Sequence, residues 1–409
     1  MNDVRCRFCH SILTETFTDL GVSPPSNSYV TESKKNAGEI CFPLHAYVCT
    51  ECWLVQLEQF ESPGDIFSDY LYFSSFSDEW LAHSEAYVAH VTERFGLTTQ
   101  SQVVEIASND GYLLQYFKQR GIPGLGVEPA ANVAETAIGR GIETDVAFFG
   151  RAHAEVLTAR GVAADLVVAN NVMAHVPDIN DFVSGLQRVL KSDGIITLEF
   201  PALDKLIADC QFDTIYHEHF SYLSLAVVER ILGSHKLRVF DVQPLKTHGG
   251  SLRVFACHFD GPHQAQPGLH EQREVERMAG LEMIDTYRNF GARVIDLKFE
   301  ILKFFIDARA AKKSVIGYGA PAKGNTLLNY CGIGPEMVEF TVDRSPHKQG
   351  KLLPGSHIPI FSPERIRERK PDYLLILPWN FSDEIVLQMA DIREWGGKFV
   401  TFVPHVRVF

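Results

Sequence analysis

Val103-Val104-Glu105-Ile106-Ala107-Ser108-Asn109-Asp110-Gly111 is an apolar run containing an acid, then a short polar turn closed by a glycine. It reads as strand, turn and helix start, the first unit of a doubly wound α/β sheet. A ligand lying close to such a turn needs backbone with no Cβ in the way, and Gly111 is the glycine this turn retains. Pyrophosphate-binding turns carry G-x-G-x-x-G, with the helix N-terminus aimed at the phosphates. That fingerprint is absent here, and Glu105 suits the amino group of a cationic sulfonium ligand better than a phosphate.

Working outward, apolar runs at 103–106, 125–127, 166–169 and 195–199 alternate with amphipathic segments, the rhythm of parallel strands joined by crossover helices. Gly124-Leu125-Gly126-Val127-Glu128-Pro129 ends its strand in a carboxylate placed to accept both hydroxyls of a ribose. The strand at 165–170 runs into Asn170 and the loop Asn171-Val172-Met173-Ala174-His175-Val176-Pro177-Asp178. A helix at 181–190, a Lys191-Ser192-Asp193-Gly194 turn and the strand at 195–199 follow. Two more strands, at 237–242 and 252–258, flank a His248-Gly249-Gly250 turn. This order predicts S-adenosylmethionine as cofactor, held by Glu105, Ala107, Asn109, Gly111, Glu128, Pro129 and Asn170.

The remaining chain falls into further units. The 409 residues exceed a single ordinary core. The division expected is a zinc-binding module at 1–65, the doubly wound unit at 66–265, a helical connection at 266–313 and a Rossmann-like α/β unit at 314–409. Residues 63–100 read as helical and carry the aromatic-serine run Tyr70-Leu71-Tyr72-Phe73-Ser74-Ser75-Phe76-Ser77.

Hydrophobic content of 45% with 22% charge describes a globular chain, and a net charge of −13 argues against a broad nucleic-acid footprint. No signal peptide or membrane-spanning stretch is evident, so the expectation is a cytoplasmic protein with reduced thiols and no membrane partner. Five of the eight cysteines nevertheless lie in the first 52 residues. Cys6-x-x-Cys9 and Cys49-x-x-Cys52, separated by 39 residues, can each present two thiolates from one tight turn and together complete a tetrahedral zinc site. Four thiolates leave no open position, so the metal is expected to stabilise the fold. A catalytic zinc would keep a water, and a nucleic-acid ribbon would bring Lys and Arg, which are sparse here. Cys41 lacks a partner at this spacing.

Near the C-terminus, Gly317-Tyr318-Gly319-Ala320-Pro321-Ala322-Lys323-Gly324-Asn325 again reads as strand, turn and helix, with Asp343 ending the next strand 24 residues after Gly319. A nicotinamide-dependent reductase is one reading. The third glycine position is Ala322, however, and the unit spans only about 95 residues, short beside an ordinary domain. The diphosphate of a nucleotide-linked substrate is the alternative occupant, with Lys323, Asn325, Asp343, Lys348 and Trp379 as candidate contacts.

Nearly the whole chain resembles the zinc-containing, class I C-methyltransferases of deoxysugar nucleotides. The resemblance rests on the cysteine pairs, Glu105–Gly111, Tyr216-His217-Glu218-His219-Phe220 and the Gly317–Gly324 stretch. It implies methyl transfer to C-3′ of a dTDP-4-keto deoxysugar and a zinc that takes no part in the chemistry. His217 departs from the Tyr-Asp-Glu-His associated with the antibiotic-sugar enzymes. Carbon methylation needs an enolate: a base removes the C-3′ proton and a donor steadies the C-4′ oxygen. His219 is the candidate base, because imidazole titrates near neutral pH. Glu218 is expected to orient it, and Tyr216 to donate to the enolate or a sugar oxygen; a tyrosinate base is the costlier alternative. Tyr72 and His175 resemble further active-site positions of the family. The competing readings are O- or N-methylation of a similar sugar, a zinc-ribbon binding protein with a vestigial core, and the reductase. The expected assembly is a monomer or small homo-oligomer acting on a nucleotide sugar.

Overall fold

The computed structural model describes residues 4–62, 64, 74–76 and 78–409. Its N-terminal strands are β1 (Glu15–Ser23), β2 (Val30–Thr31), β3 (Phe42–Val48) and β4 (Val55–Leu57). The central part supplies β5 (Val103–Ile106), β6 (Gly124–Val127), β7 (Glu143–Asp145), β8 (Ala164–Asn170), β9 (Leu190–Pro201), β10 (Ser221–Tyr222), β11 (Leu237–Leu245) and β12 (Ser251–His258). Seven of these form one sheet in the order β11-β12-β9-β8-β5-β6-β7. From β9 to β7 all pairings are parallel, whereas β12 enters antiparallel between β9 and β11. This is the class I methyltransferase arrangement. The strand order reverses at β5, so the crevice beyond its carboxyl end is where a ligand belongs. Full burial of β5 and near-full burial of β8 explain why both read as continuous apolar runs.

The Lys191–Gly194 turn is absorbed into β9 as a bulge: Leu190 pairs with Ala164, and Ile195 already pairs with Leu166. The expected helical connection is two helices, Pro267–Ala279 and Ile284–Ala310, parted where Gly280 caps the first in the left-handed conformation. Tyr287, Phe290, Val294, Leu297, Ile301, Phe305 and Ala308, at helical spacing, make the buried stripe of the second. That stripe packs on β1, where Phe17 and Phe290 stack at 4.3 Å. Of the helical stretch expected at 63–100, the described part is Asp78–Phe95.

The C-terminal part contributes β13 (Val315–Tyr318), β14 (Thr341–Val342), β15 (Lys351–Leu352), β16 (Ile360–Phe361), β17 (Tyr373–Ile376), β18 (Lys398–Thr401) and β19 (Arg407–Val408). Its six-stranded sheet runs β16-β14-β13-β17-β18-β19, parallel except at the β19 edge. The Gly319 turn therefore stands at a second reversal of strand order.

Two pairings tie the units together. The N-terminal sheet has the order β1-β3-β4-β10, so a strand from the middle of the chain completes it, and β2 pairs with β15. The buried apolar clusters cross the same lines: Cys6, Cys49 and Cys52 share one with β8 and β9, while Phe17 and Leu44 share another with Leu327 and Val400. Among the described residues no helix is long and apolar enough to cross a membrane.

Candidate active site and metal centre

The four cysteines converge. Cys6 and Cys52 sulfurs lie 3.5 Å apart, as do those of Cys9 and Cys49, and all four fall within 4.8 Å of one another. A Zn–S bond of about 2.3 Å needs sulfur edges of roughly 3.8 Å in a tetrahedron, so the donor set fits zinc. Each pair sits on the same backbone device. His10 N–H donates to the Cys6 carbonyl and Trp53 N–H to the Cys49 carbonyl, and both residues adopt positive φ just after the second cysteine. Gln56 Nε2 donates to Cys6 Sγ at 3.2 Å, an outer contact that steadies a thiolate. Cys41 is exposed and lies outside the cluster.

At the carboxyl end of β5 the turn alternates in handedness: Ala107, Asn109 and Gly111 all have positive φ. Only the last is glycine, so two positions of a glycine-rich turn are filled by residues that bear the strain. A Cβ on Gly111 would sit 2.9 Å from Ile142 Cγ1. The loop is tied forward, with Ser74 N–H donating to Asn109 Oδ1 at 2.9 Å and Ser75 Oγ donating to Asp110. Tyr72 lies just before this anchor, outside the described residues.

Glu128 Oε2 accepts from Asn109 N–H and Oε1 from Ala130 N–H, each at 2.9 Å. The carboxylate expected to face a ribose is thus already aimed by two amides, with one lone pair per oxygen remaining. Pro129 is half-buried directly beyond it. Glu105 Oε2 and Asn170 Oδ1 are buried acceptors with no partner. Burial, with Glu128 and Asp110 adding repulsion, pushes the Glu105 carboxyl well above its usual range. Orphaned acceptors at the ends of β5 and β8 call for a donor-bearing or cationic ligand. S-adenosylmethionine, with its ammonium, sulfonium and adenine amine, fits them.

The Tyr-His-Glu-His segment lies between the short turn Phe212–Thr214 and β10. His219 Nδ1–H donates to the Thr214 carbonyl at 3.0 Å, which leaves Nε2 as the ring's acceptor. Tyr216 lies over the His219 ring at 4.0 Å, and the His175 ring meets it edge-on at 4.7 Å. Burial, then the neighbouring His175, holds His219 well below the ordinary imidazole range. Burial also lowers His175 and His248 to about 4. All three rings are therefore neutral at neutral pH.

Glu218 does not orient His219. Its Oε1 accepts from Asn27 Nδ2 at 2.7 Å, and burial pushes its carboxyl up to about 7. The backbone carbonyl of Thr214 does the orienting instead. His217 is buried on the Pro43 carbonyl at 3.2 Å, a packing role.

From the C-terminal unit, Lys323 Nζ donates to Asn380 Oδ1 at 2.8 Å and lies 4.4 Å from the Trp379 ring centre. Burial lowers its pKa, partly offset by Asp213, and its charge acts on both His219 and His248. Trp379 Nε1–H donates to Asp213 Oδ2 at 2.7 Å, while buried Asp213 Oδ1 has no partner. Burial lifts Asp213 to about 6.

The other expected substrate contacts are engaged elsewhere. Asn325 Nδ2 donates to the Ser26 carbonyl at 2.6 Å, so this side chain joins the N-terminal and C-terminal units. Asp343 Oδ2 accepts from Ala320 N–H at 2.8 Å, and Lys348 Nζ donates to the Ala320 carbonyl at 2.9 Å. The glycine turn is thus held by its own side chains, and one amide a phosphate would need is already bonded. Tyr29 OH donates to the same carbonyl at 2.6 Å.

Asn27, Asp213 and His248 were not among the expected site residues. His248 has φ of 54° and lies 3.4 Å from Asn171 Nδ2. The strand-terminal His-Gly-Gly turn and an acid in the run Phe212-Asp213-Thr214-Ile215 were the available signals. Nothing in local spacing links Asn27 to Glu218.

Comparison with known proteins decides the family. The chain is 38% identical over 403 residues to C-methyltransferase NovU of Streptomyces niveus, covering 98% of this chain and 96% of that one. The chain belongs to the C-methyltransferases. Family models match this C-methyltransferase in three parts: "Putative zinc binding domain" over 6–67, "Methyltransferase domain" over 80–240 and "C-methyltransferase C-terminal domain" over 246–404. Among solved structures, magnesium protoporphyrin IX methyltransferase from Synechocystis PCC 6803 is similar at 15% identity and TM-score 0.34, covering 44% of this chain and 79% of that one. The PH0226 protein of Pyrococcus horikoshii OT3 is similar at 14% identity and TM-score 0.36, covering 49% and 99%.

Proposed function

We propose that this C-methyltransferase methylates C-3′ of a nucleotide-linked 4-keto deoxysugar through a base-generated enolate. The observation that carries the reading is His219: neutral, with Nδ1–H fixed on a carbonyl and Nε2 left to accept a proton. S-adenosylmethionine, when bound, supplies an electrophilic methyl group on a sulfonium.

In this reading Glu105 and Asn170 receive the donor's amines, Glu128 accepts its ribose hydroxyls, and the 107–111 turn gives its backbone close approach. Across the crevice, His219 takes the C-3′ proton and Lys323 and Tyr216 face the developing negative charge on the C-4′ oxygen. His175 packs against the base and limits its rotation. Tyr72 keeps its family role as a further active-site position. Trp379 stacks on the ligand's flat surfaces, and the 314–409 unit holds the nucleotide diphosphate. Asp343 and Lys348 contribute by shaping the glycine turn, and Asn325 by fixing it to the 1–65 module. The 66–265 unit carries the donor site, and 266–313 links it to the clamp.

Incubating a dTDP-4-keto deoxysugar with the enzyme in deuterium oxide tests this directly. Exchange of the C-3′ proton that disappears in His219→Asn supports enolate chemistry. No exchange, together with labelled methyl on oxygen or nitrogen, overturns it.

A further inference from the structure

The first zinc knuckle carries one more group of consequence. Arg7 lies between Cys6 and Cys9, and its backbone N–H donates to Gln56 Oε1 at 2.8 Å, the same glutamine that donates to Cys6 Sγ. Its side chain leaves the knuckle altogether. Nη1 donates to the Pro177 carbonyl at 2.7 Å, Nη2 donates to the Leu57 carbonyl, and the guanidinium carbon stands 5.3 Å from the Phe220 ring centre.

Those partners are significant. Pro177 is two residues beyond His175, and Phe220 directly follows His219. Leu57 N–H donates to the Phe220 carbonyl at 3.1 Å, where β4 meets β10. One planar, multi-donor group thus spans the two loops that bring the facing imidazoles together. Asn180 Nδ2 reinforces the joint by donating to the Phe8 carbonyl at 2.9 Å.

Stability alone does not account for this arginine. Among the described residues no carboxylate lies within ion-pair distance of it; the Cys6 thiolate and Asp178 attract it only from farther off, its buried Nε has no hydrogen-bond partner, and its two side-chain hydrogen bonds go to neutral carbonyls. Burial is the dominant influence on the guanidinium and that attraction offsets it only in part, so a neutral, well-packed side chain would serve stability at least as well. A rigid guanidinium fork does, however, fix the relative position of the carbonyls it bridges.

We propose that Arg7 is a positioning residue for methyl transfer: anchored by the zinc knuckle, it sets the His175 loop against the His219 loop. The metal site then defines catalytic geometry as well as fold. This rests on the reading of His219 as the base, and the test separates the two.

Full-length zinc-loaded Arg7→Gln and Arg7→Lys are compared with wild type for zinc content, S-adenosylmethionine affinity and thermal midpoint. Alongside, the imidazole NMR signals of His175 and His219 are recorded, assigned through His175→Asn and His219→Asn. The expected result is one zinc per chain and unchanged donor affinity with both imidazole signals displaced, the lysine variant lying between. With a 4-keto sugar nucleotide turned over by wild type, kcat of Arg7→Gln falls by about tenfold to 10²-fold at constant KM. Little further loss follows when the substitution is added to His219→Asn. Unmoved imidazole signals overturn the proposal, as does loss of zinc or donor binding in step with kcat. The NMR arm needs no acceptor, so a wrong acceptor leaves it standing. Wild-type turnover in His219→Asn defeats the base assignment alone, and the imidazole shifts then decide Arg7.

Discussion

His219 combines two demands that a solvent-exposed imidazole does not meet together. Its tautomer is set by the Thr214 carbonyl, and burial keeps it uncharged. Replacing it by asparagine removes the proton acceptor while leaving the donor site intact. Turnover is expected to fall by about 10²–10⁴-fold, with S-adenosylmethionine affinity by calorimetry unchanged. The pH dependence follows from the direction of the shift. A base with a lowered pKa stays deprotonated as pH falls through the ordinary histidine range, so the acid limb of kcat should lie well below pH 6.5. A limb centred at or above that value in steady-state rates contradicts His219 as the base. At the donor site, Glu128→Gln keeps the shape but loses one of the two acceptors that aim the loop. Donor affinity should fall by roughly tenfold or more, since hydrogen bonds to charged groups are worth about 1.5–3 kcal/mol. The sequence made Glu105, Glu128 and the cysteine pairs legible because their chemistry is tied to strand ends and fixed spacing. The left-handed backbone at Ala107 was not legible, because alanine does not announce positive φ, whereas asparagine, as at Asn109, adopts it more readily. Glu218 was legible as an acid beside the base, but the expectation that it orients His219 failed, because its partner, Asn27, comes from a remote loop.

Elements long enough to show a period were read well. The strand at 103–106 and the helix at 181–190 differ little from β5 and Ile179–Val189, because burial imposed the pattern on the residues. Two-residue strands show no pattern, and β10 is the example with most consequence. The helix Leu225–Ser234 directly after β10 shows how its place is secured. Ser224 Oγ accepts from Val227 N–H, and Glu276 of another helix accepts from Leu225 and Ala226 N–H. Ser224→Ala should cost about 1 kcal/mol, as lost caps generally do, measured as a lower urea midpoint at constant m-value. Burial raises Glu276 to about 7, above an unfolded value near 4.5. The folded form therefore binds the extra proton between those values, and this group's contribution to stability declines as pH rises through that window. Glu276→Gln should lack that decline. Identical pH profiles for the variant and wild type in urea unfolding contradict it.

At the scale of the molecule, the expected architecture and the observed one share their parts but differ at the seams. A sheet order such as β1-β3-β4-β10 depends on pairing between distant segments, which composition and periodicity do not encode. The seams are also where the groups of the proposed site meet: Asn27, bonded to Glu218, from one unit, His219 from another, Lys323 and Trp379 from a third. Stripping the metal should for that reason do more than loosen the N-terminus. With a tight chelator, activity and the thermal midpoint should both fall and recover on adding zinc. Full activity in metal-free protein, verified by elemental analysis, contradicts this.

The pairing of β4 with β10 has a consequence for how the chain is made. Gln56 leaves the ribosome long before Ser221, its partner across the ladder. Until then the N-terminal sheet has an open edge, and most of the seven-stranded sheet is synthesised in the interval. Closing so long a loop adds entropy cost and contact order to the last step of that sheet's assembly. The knuckles, whose cysteines are all present by residue 52, can take up zinc early and hold β3 and β4 in register while the edge waits. Zinc available during synthesis should then give a higher yield of native protein than the same zinc added only after the chain is complete.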